Sequence, residues 1–394
     1  MDNFPAVDPI PIPAPVWVFK FLLLLTLTLH FTALFLTIGG LAVATVWAIG
    51  ARRAGAPAVL GQGAGAIVAR LPITLAYVIN LGVPPLLFAQ VLYGRAFYTS
   101  SILIGAYWLG VIGLLSVAYT LLYVMERRAR EGKPWWLCGV VAAGCIGMIA
   151  LIYVNNMTLM IRPNVWLEVY RGNPHGTQLA HGGDPTVAAR WHYMMAAALM
   201  NTGVGLMLFG LRRDISAELK GFLRVWGGLI AAVFAVCTML ALAWVLSVQP
   251  AQVQSDLGGS GPYRAILLLW FATAVTVAAL GGLSSLGRGR EDRLFTVGAA
   301  VAGFLNIALW VVFRDGIRDA SLRRFGFDVW DRVVVINWSV LIAFFLMFVA
   351  GLAATGWLAK VVLAAKGEYE GDVGIEGDGA AGPAADAGVD AATA

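Results

Sequence analysis

Two histidines, His30 and His192, are the residues of this chain whose types and settings best suit chemistry. His30 sits inside the apolar stretch TLHFTALFLTIGG. An imidazole that deep in a membrane is costly unless something binds it, so its position marks a functional site. Iron in a haem is the usual partner for such a group. His192 lies about one turn inside the outer end of the helical run AARWHYMMAAALMNTGVGLMLFGLRR. The small residues after it, Ala196, Ala197, Ala198, Gly203 and Gly205, would let a flat macrocycle approach. Haem redox chemistry is therefore the expectation for both. Each also has a purely structural alternative. His30 could pack between helices on a threonine or a backbone carbonyl, and His192 could be one member of an interfacial aromatic belt with Trp191 and Tyr193.

The elements that must position these residues are membrane spans. Of 394 residues, 60% are hydrophobic and 12% charged, with a mean hydropathy of +0.80. Apolar runs repeatedly exceed the ~20 residues that cross a bilayer. The expected fold class is an all-α polytopic bundle of about nine transmembrane helices, over residues 17–49, 71–91, 101–125, 135–157, 187–211, 225–248, 263–286, 295–313 and 333–363. The net charge of +5 is concentrated in short loops between spans, where it sets topology, so nucleic-acid binding is excluded as a role. Cys138, Cys145 and Cys237 lie in apolar segments without a C-x-x-C pattern, which argues against disulfides, zinc and covalently attached haem.

Basic clusters follow the first, third, fifth and seventh spans, and few basic residues follow the second, fourth and sixth. The positive-inside rule then places the N-terminus outside and the C-terminus in the cytoplasm of a bacterial inner membrane. The organisation expected is a proline-rich external arm over 1–16, a haem-binding bundle over 17–366 and a disordered acidic tail over 367–394. The arm lacks the basic flank of a cleaved signal peptide. Residues 54–70 read as a Gly/Ala loop, 93–95 as a turn, and the mixed-charge segment 314–332 as an external loop.

The order of these features resembles subunit I of the cytochrome bd quinol oxidases. His30-Phe31 with Leu34, Leu36-Thr37 and Gly39 is similar to that family's first-helix signature, whose histidine ligates a haem b. Asn80, Gly82-Val83, Phe88 and Tyr93-Gly94 resemble its second helix, IYVNNMTLMIRP the end of its fourth, and the run from Arg190 to Arg213 its fifth, whose histidine holds the low-spin haem b. The likeness covers most of residues 17–213. It implies one or two haems b, a quinone, and a second membrane subunit or a c-type cytochrome as partner, all in contact with lipid.

The departures from that family concern oxygen chemistry. Residues 101–125 contain no counterpart of the family's haem d glutamate. Arg264 stands where an arginine precedes the family's methionine ligand by two residues, but Ile266 follows it, leaving Met194, Met195 or a loop histidine as replacements. The quinol-binding loop shrinks to residues 249–262, and the expected G-R-Q-P-W reads RDGIRD from Arg314 to Asp319. That cluster is either an ion-pair knot at a span end or, if it faces the bundle, a place where Arg314 or Arg318 holds a haem propionate. His175 and His181 are read as solvated loop residues, with a metal or distal-ligand role as the alternative. The polar residues of the spans, such as Asn80, Asn155 and Asn306, do not titrate. The expectation is a cytochrome b subunit that passes electrons between quinone and an external partner and does not reduce oxygen. The alternatives are a haem-poor structural anchor and an oxidase with relocated ligands.

Overall fold

The computed structural model describes Phe4 and residues 11–179, 184–286 and 292–364. Twelve α-helices account for nearly all of it: α1 Val16–Gly50, α2 Ala58–Val68, α3 Leu71–Leu103, α4 Gly105–Arg130, α5 Trp136–Met160, α6 Trp166–Gly172, α7 Pro185–Phe209, α8 Ala217–Ser247, α9 Ala251–Gly259, α10 Gly261–Ser285, α11 Asp292–Arg323 and α12 Trp338–Ala364. Among the described residues nine helical stretches are long and apolar enough to cross a membrane. Among the described residues the one β-type pairing is an isolated parallel bridge between Ile12 and Val334. The chain is therefore an all-α multi-pass membrane bundle, because a backbone in lipid must satisfy its polar groups within each segment.

Three expected boundaries change. The 54–70 loop contains α2, whose small and apolar face packs on α1 and α8, with Gly63 against Trp47 and Phe222. The turn at 93–95 is a kink instead: Tyr93 leaves helical geometry at φ −123° and ψ 23°, yet α3 carries on to Leu103. The mixed-charge segment does not leave the bundle at residue 314, since α11 runs ten residues further to Arg323. Asp315 and Asp319 find partners on α1 and α3, which offsets the cost of keeping their charges inside.

α1 is the central element, in contact with α2, α3, α5, α7 and α11. Its approach to α7 depends on Gly39, where an added methyl would lie 2.5 Å from the Ala198 carbonyl oxygen. Gly203 does the same between α7 and α8, since a methyl there would lie 2.4 Å from the Ala231 nitrogen. Helices in lipid associate through such close packing, and here small residues supply it. The other edge of the bundle is different. α12 has no buried residue along its apolar length; its half-buried face packs on the rest through Leu341, Phe344 and Phe348, with Phe344 meeting Phe88 at ring centroids 6.0 Å apart.

Candidate functional site

His30 is two turns beyond the last of α1's early aromatic residues and faces α3. Its Nδ1 lies 3.0 Å from the carbonyl oxygen of Val78, so that nitrogen carries the proton and donates it. Nε2 makes no hydrogen bond to a described residue and keeps its lone pair. A ring pinned through Nδ1 with Nε2 open is the arrangement of a metal-ligating histidine. Gly82 makes room for it: a methyl at that position would lie 3.0 Å from His30 Cε1 and 3.1 Å from Nδ1. The carbonyl partner alone also satisfies the helix-packing reading, and the free Nε2 is the feature that packing does not require.

His192 occupies a different wall. Its Nδ1 lies 2.8 Å from the Ala188 carbonyl of its own helix, and its exposed ring stands between Trp191 and Trp244 of α8, centroids 5.2 and 5.3 Å away. No described contact links it to His30. The small residues expected to admit a macrocycle beside it serve helix packing instead: Ala196, Ala197 and Ala198 are buried, Gly203 abuts α8 and Gly205 abuts Leu36. Met194 and Met195 are half-buried neighbours on the same helix. A side chain on that helix cannot reach the far face of a macrocycle lying against it.

The charged segment of α11 forms an ion-pair knot at a span end, one of the two readings of RDGIRD, but its partners from α1 and α3 were not foreseen. Lys20, one turn into α1 and the only cation of that helix, places Nζ 2.6 Å from Asp315 Oδ2, 2.6 Å from Asp319 Oδ2 and 2.5 Å from the Tyr93 hydroxyl. Tyr93 donates to Asp319 Oδ1 at 2.7 Å and lies 3.2 Å from Asp315 Oδ1. Arg318 donates to Asp315 Oδ1 at 3.1 Å and stacks its guanidinium 4.7 Å above the Tyr93 ring. The kink at Tyr93 is what turns its phenol into this cluster. Phe327, 6.2 Å from Tyr93, and Phe4, 5.3 Å from Phe327, close it from the end of the bundle. The spans thus hold two carboxylic acids that a reading based on amides alone left out.

Two more arginines reach the same region from α7 and α11. Arg190 donates to Thr158 Oγ1 at 3.0 Å, a neutral acceptor. Arg314 makes no hydrogen bond or ion pair to a described residue, and it lies within electrostatic range of Arg190, Arg318 and Asp315. One turn before Arg314, Trp310 stacks on Tyr193 with centroids 4.0 Å apart, and its buried indole N–H finds no acceptor among the described residues. Lys20 and Arg318 balance Asp315 and Asp319. Arg190 and Arg314, both half-buried, have no carboxylate at ion-pair distance among the described residues and feel only the more distant Asp184 and Asp315, beside the indole donor of Trp310. Half-buried arginines without a direct carboxylate partner are disposed to take an anion.

The remaining predicted residues lie elsewhere. Arg264 is exposed in the first turn of α10, away from both histidines' described partners. His175 is exposed, its backbone N–H donating to Asn173 Oδ1 at 3.2 Å, and His181 lies outside the described residues, as does the 367–394 tail. Asp184 caps α7 by accepting from the Thr186 N–H at 2.8 Å and hydroxyl at 2.6 Å, and it pairs with Arg162. Burial pushes its carboxyl up, but the Thr186 donors and the Arg162 guanidinium outweigh burial and hold it below its ordinary value. A signal for the α11 cluster was present: Asp315 and Asp319, four apart, share one helical face, as do Arg314 and Arg318. No protein-family model matches the chain, and no curated protein matches it.

Proposed function

We propose that this protein is a cytochrome b subunit of a bacterial inner membrane, passing electrons between quinone and an external redox partner. The observation that carries the reading is a pair of half-buried arginines, Arg190 and Arg314, neither with a carboxylate at ion-pair distance among the described residues, beside the Trp310 N–H that has no acceptor among them. A haem presents two propionates, carboxylates that two such arginines would receive. Guanidinium groups suit carboxylates by their paired donors. The donor set fits the group: His30 Nε2 is the open nitrogen for iron, and Gly82 keeps the imidazole in place. When bound, the haem supplies reversible one-electron chemistry.

The protein's own residues do the rest. Val78 fixes the His30 tautomer, the arginines neutralise carboxylates that lipid would not tolerate, and the apolar spans exclude water. His192, on the outer wall beside Trp244, would hold a second haem only against a partner subunit, and the exposed α12 is available to meet such a subunit. The reading is tested by supplying quinol to the purified chain with its native cofactor. Electrons should pass to a haem-protein acceptor while oxygen is consumed no faster than by a denatured control. Rapid quinol-dependent oxygen uptake would make the chain an oxidase instead.

A further inference from the structure

The end of α1 remote from Lys20, where α4 finishes and α5 begins, borders a cleft of about 470 Å³. Its floor is small and apolar, with Ala48 from α1 and Gly61 and Ala64 from α2. Its rim is charged and aromatic, with Arg52 on one side and Lys133 and Trp136 on the other. Gly132, at φ 65°, turns the chain out of α4 and brings those two residues back beside α1, a left-handed conformation that glycine adopts without strain. The exposed Arg52 guanidinium lies 5.8 Å over the Trp136 ring and has no carboxylate at ion-pair distance among the described residues. Lys133 pairs with Glu131 at 2.8 Å, an exposed contact that is cheap to exchange. α5 starts after Trp135 without a side-chain cap, so the positive end of a 25-residue helix adds to the two cations. Deeper along the same helices the surface is apolar and open: Val140, one turn into α5 from Trp136, is 47% exposed, and Val46 of α1 is 66% exposed.

We propose that this cleft binds the headgroup phosphate of one anionic phospholipid of the cytoplasmic leaflet. The basic loops over 51–53 and 126–133 lie at this end, which the positive-inside rule places in the cytoplasm, and that leaflet carries the anionic lipids. Cations, an indole and an open apolar surface follow one another along α1 and α5 in the order of a lipid's phosphate, glycerol and acyl chains. Stacking on Trp136 leaves the edge of the Arg52 guanidinium free, and that edge is the fork that suits phosphate oxygens. Lys133 exchanges Glu131 for the phosphate, and the first N–H groups of α5 point a helix's positive end at it. The acyl chains continue over Val140, where a free phosphate ion would gain nothing. Basic pockets between spans on the cytoplasmic side are suited to such headgroups. Neither the cleft nor its occupant depends on the cytochrome reading.

Native mass spectrometry of the whole protein, stripped of lipid in detergent and titrated with phosphatidylglycerol, phosphatidylcholine or inorganic phosphate, tests the site. One phosphatidylglycerol per chain should bind about tenfold more tightly than phosphatidylcholine, whose choline cation meets Arg52 and Lys133. Arg52→Gln should weaken that binding by about fivefold, the worth of one cation at an anionic headgroup. Gly61→Leu, which fills the cleft and leaves every charge in place, should weaken it as well. Arg52 and Gly61 are both exposed, so both variants are expected to fold. Arg53→Gln removes a neighbouring exposed arginine that does not line the cleft and should leave the affinity unchanged. Equal affinity for the two lipids, or an Arg52→Gln protein that binds like wild type, overturns the proposal. An equal loss in Arg53→Gln overturns it by assigning the attraction to the whole basic face. Displacement of phosphatidylglycerol by an equal concentration of inorganic phosphate overturns it by making the occupant a free ion.

Discussion

Lys20 of α1 and Asp319 of α11, 299 positions apart in sequence, meet at 2.6 Å within one turn of their helix ends. This contact and its partner at Asp315 tie the first span to the eighth and hold the kinked α3 between them through Tyr93. Breaking a buried pair by removing one member costs about 3–5 kcal/mol, because the other charge stays behind. Lys20→Met should therefore lower the thermal unfolding midpoint in detergent sharply. The Lys20→Met/Asp319→Asn double variant should recover part of the loss, and a Lys20→Met protein as stable as wild type would refute the contact.

The His30 ring has no space to spare beside Gly82. A methyl 3.0 Å from Cε1 must displace the imidazole by a few tenths of an ångström, which turns Nε2 away from its line of bonding. Gly82→Ala is expected to fold and to carry less haem b per protein after purification. His192→Ala in the isolated chain should leave haem content unchanged, because that ring stands on the outer wall.

The Asp184 cap gives a pH signature outside the spans. Its carboxyl is depressed in the folded protein, so the stability it contributes is present above the ordinary carboxylate value and is lost as pH falls through the folded one. Asp184→Ala should cost about 1 kcal/mol near neutrality. The gap to wild type should narrow below about pH 4, the range of an unperturbed aspartate. A gap that is constant with pH would show that the charge plays no part in the cap.

Topology is testable without a cofactor. The alternating basic loops place a reporter fused after Lys366 in the cytoplasm and one inserted near Asp256, in α9, outside. Both on one side would contradict the N-outside arrangement.

Hydropathy alone made the nine spans legible, since each is an apolar run long enough to declare itself. Where α11 ends was not legible, because the sequence shows the charges of RDGIRD but not Lys20 and Tyr93, which come from other helices to keep them in the bundle. The same holds for Tyr93, a phenol that looked like part of a turn. His30 stood out because a lone imidazole in lipid is an anomaly that sequence displays. The different settings of His30 and His192 were hidden, since a side chain's partner on a neighbouring helix depends on packing and on glycines such as Gly39 and Gly203.

The central claim is that the bundle holds a haem b through His30, with Arg190 and Arg314 answering its carboxylates. The most direct measurement is the reduced-minus-oxidised optical spectrum of the purified chain beside that of His30→Ala. The account predicts a haem b signal in the wild type that falls by one haem per chain in His30→Ala while the protein still folds. A folded wild type with no haem band, or a His30→Ala protein with its full haem content, would contradict it.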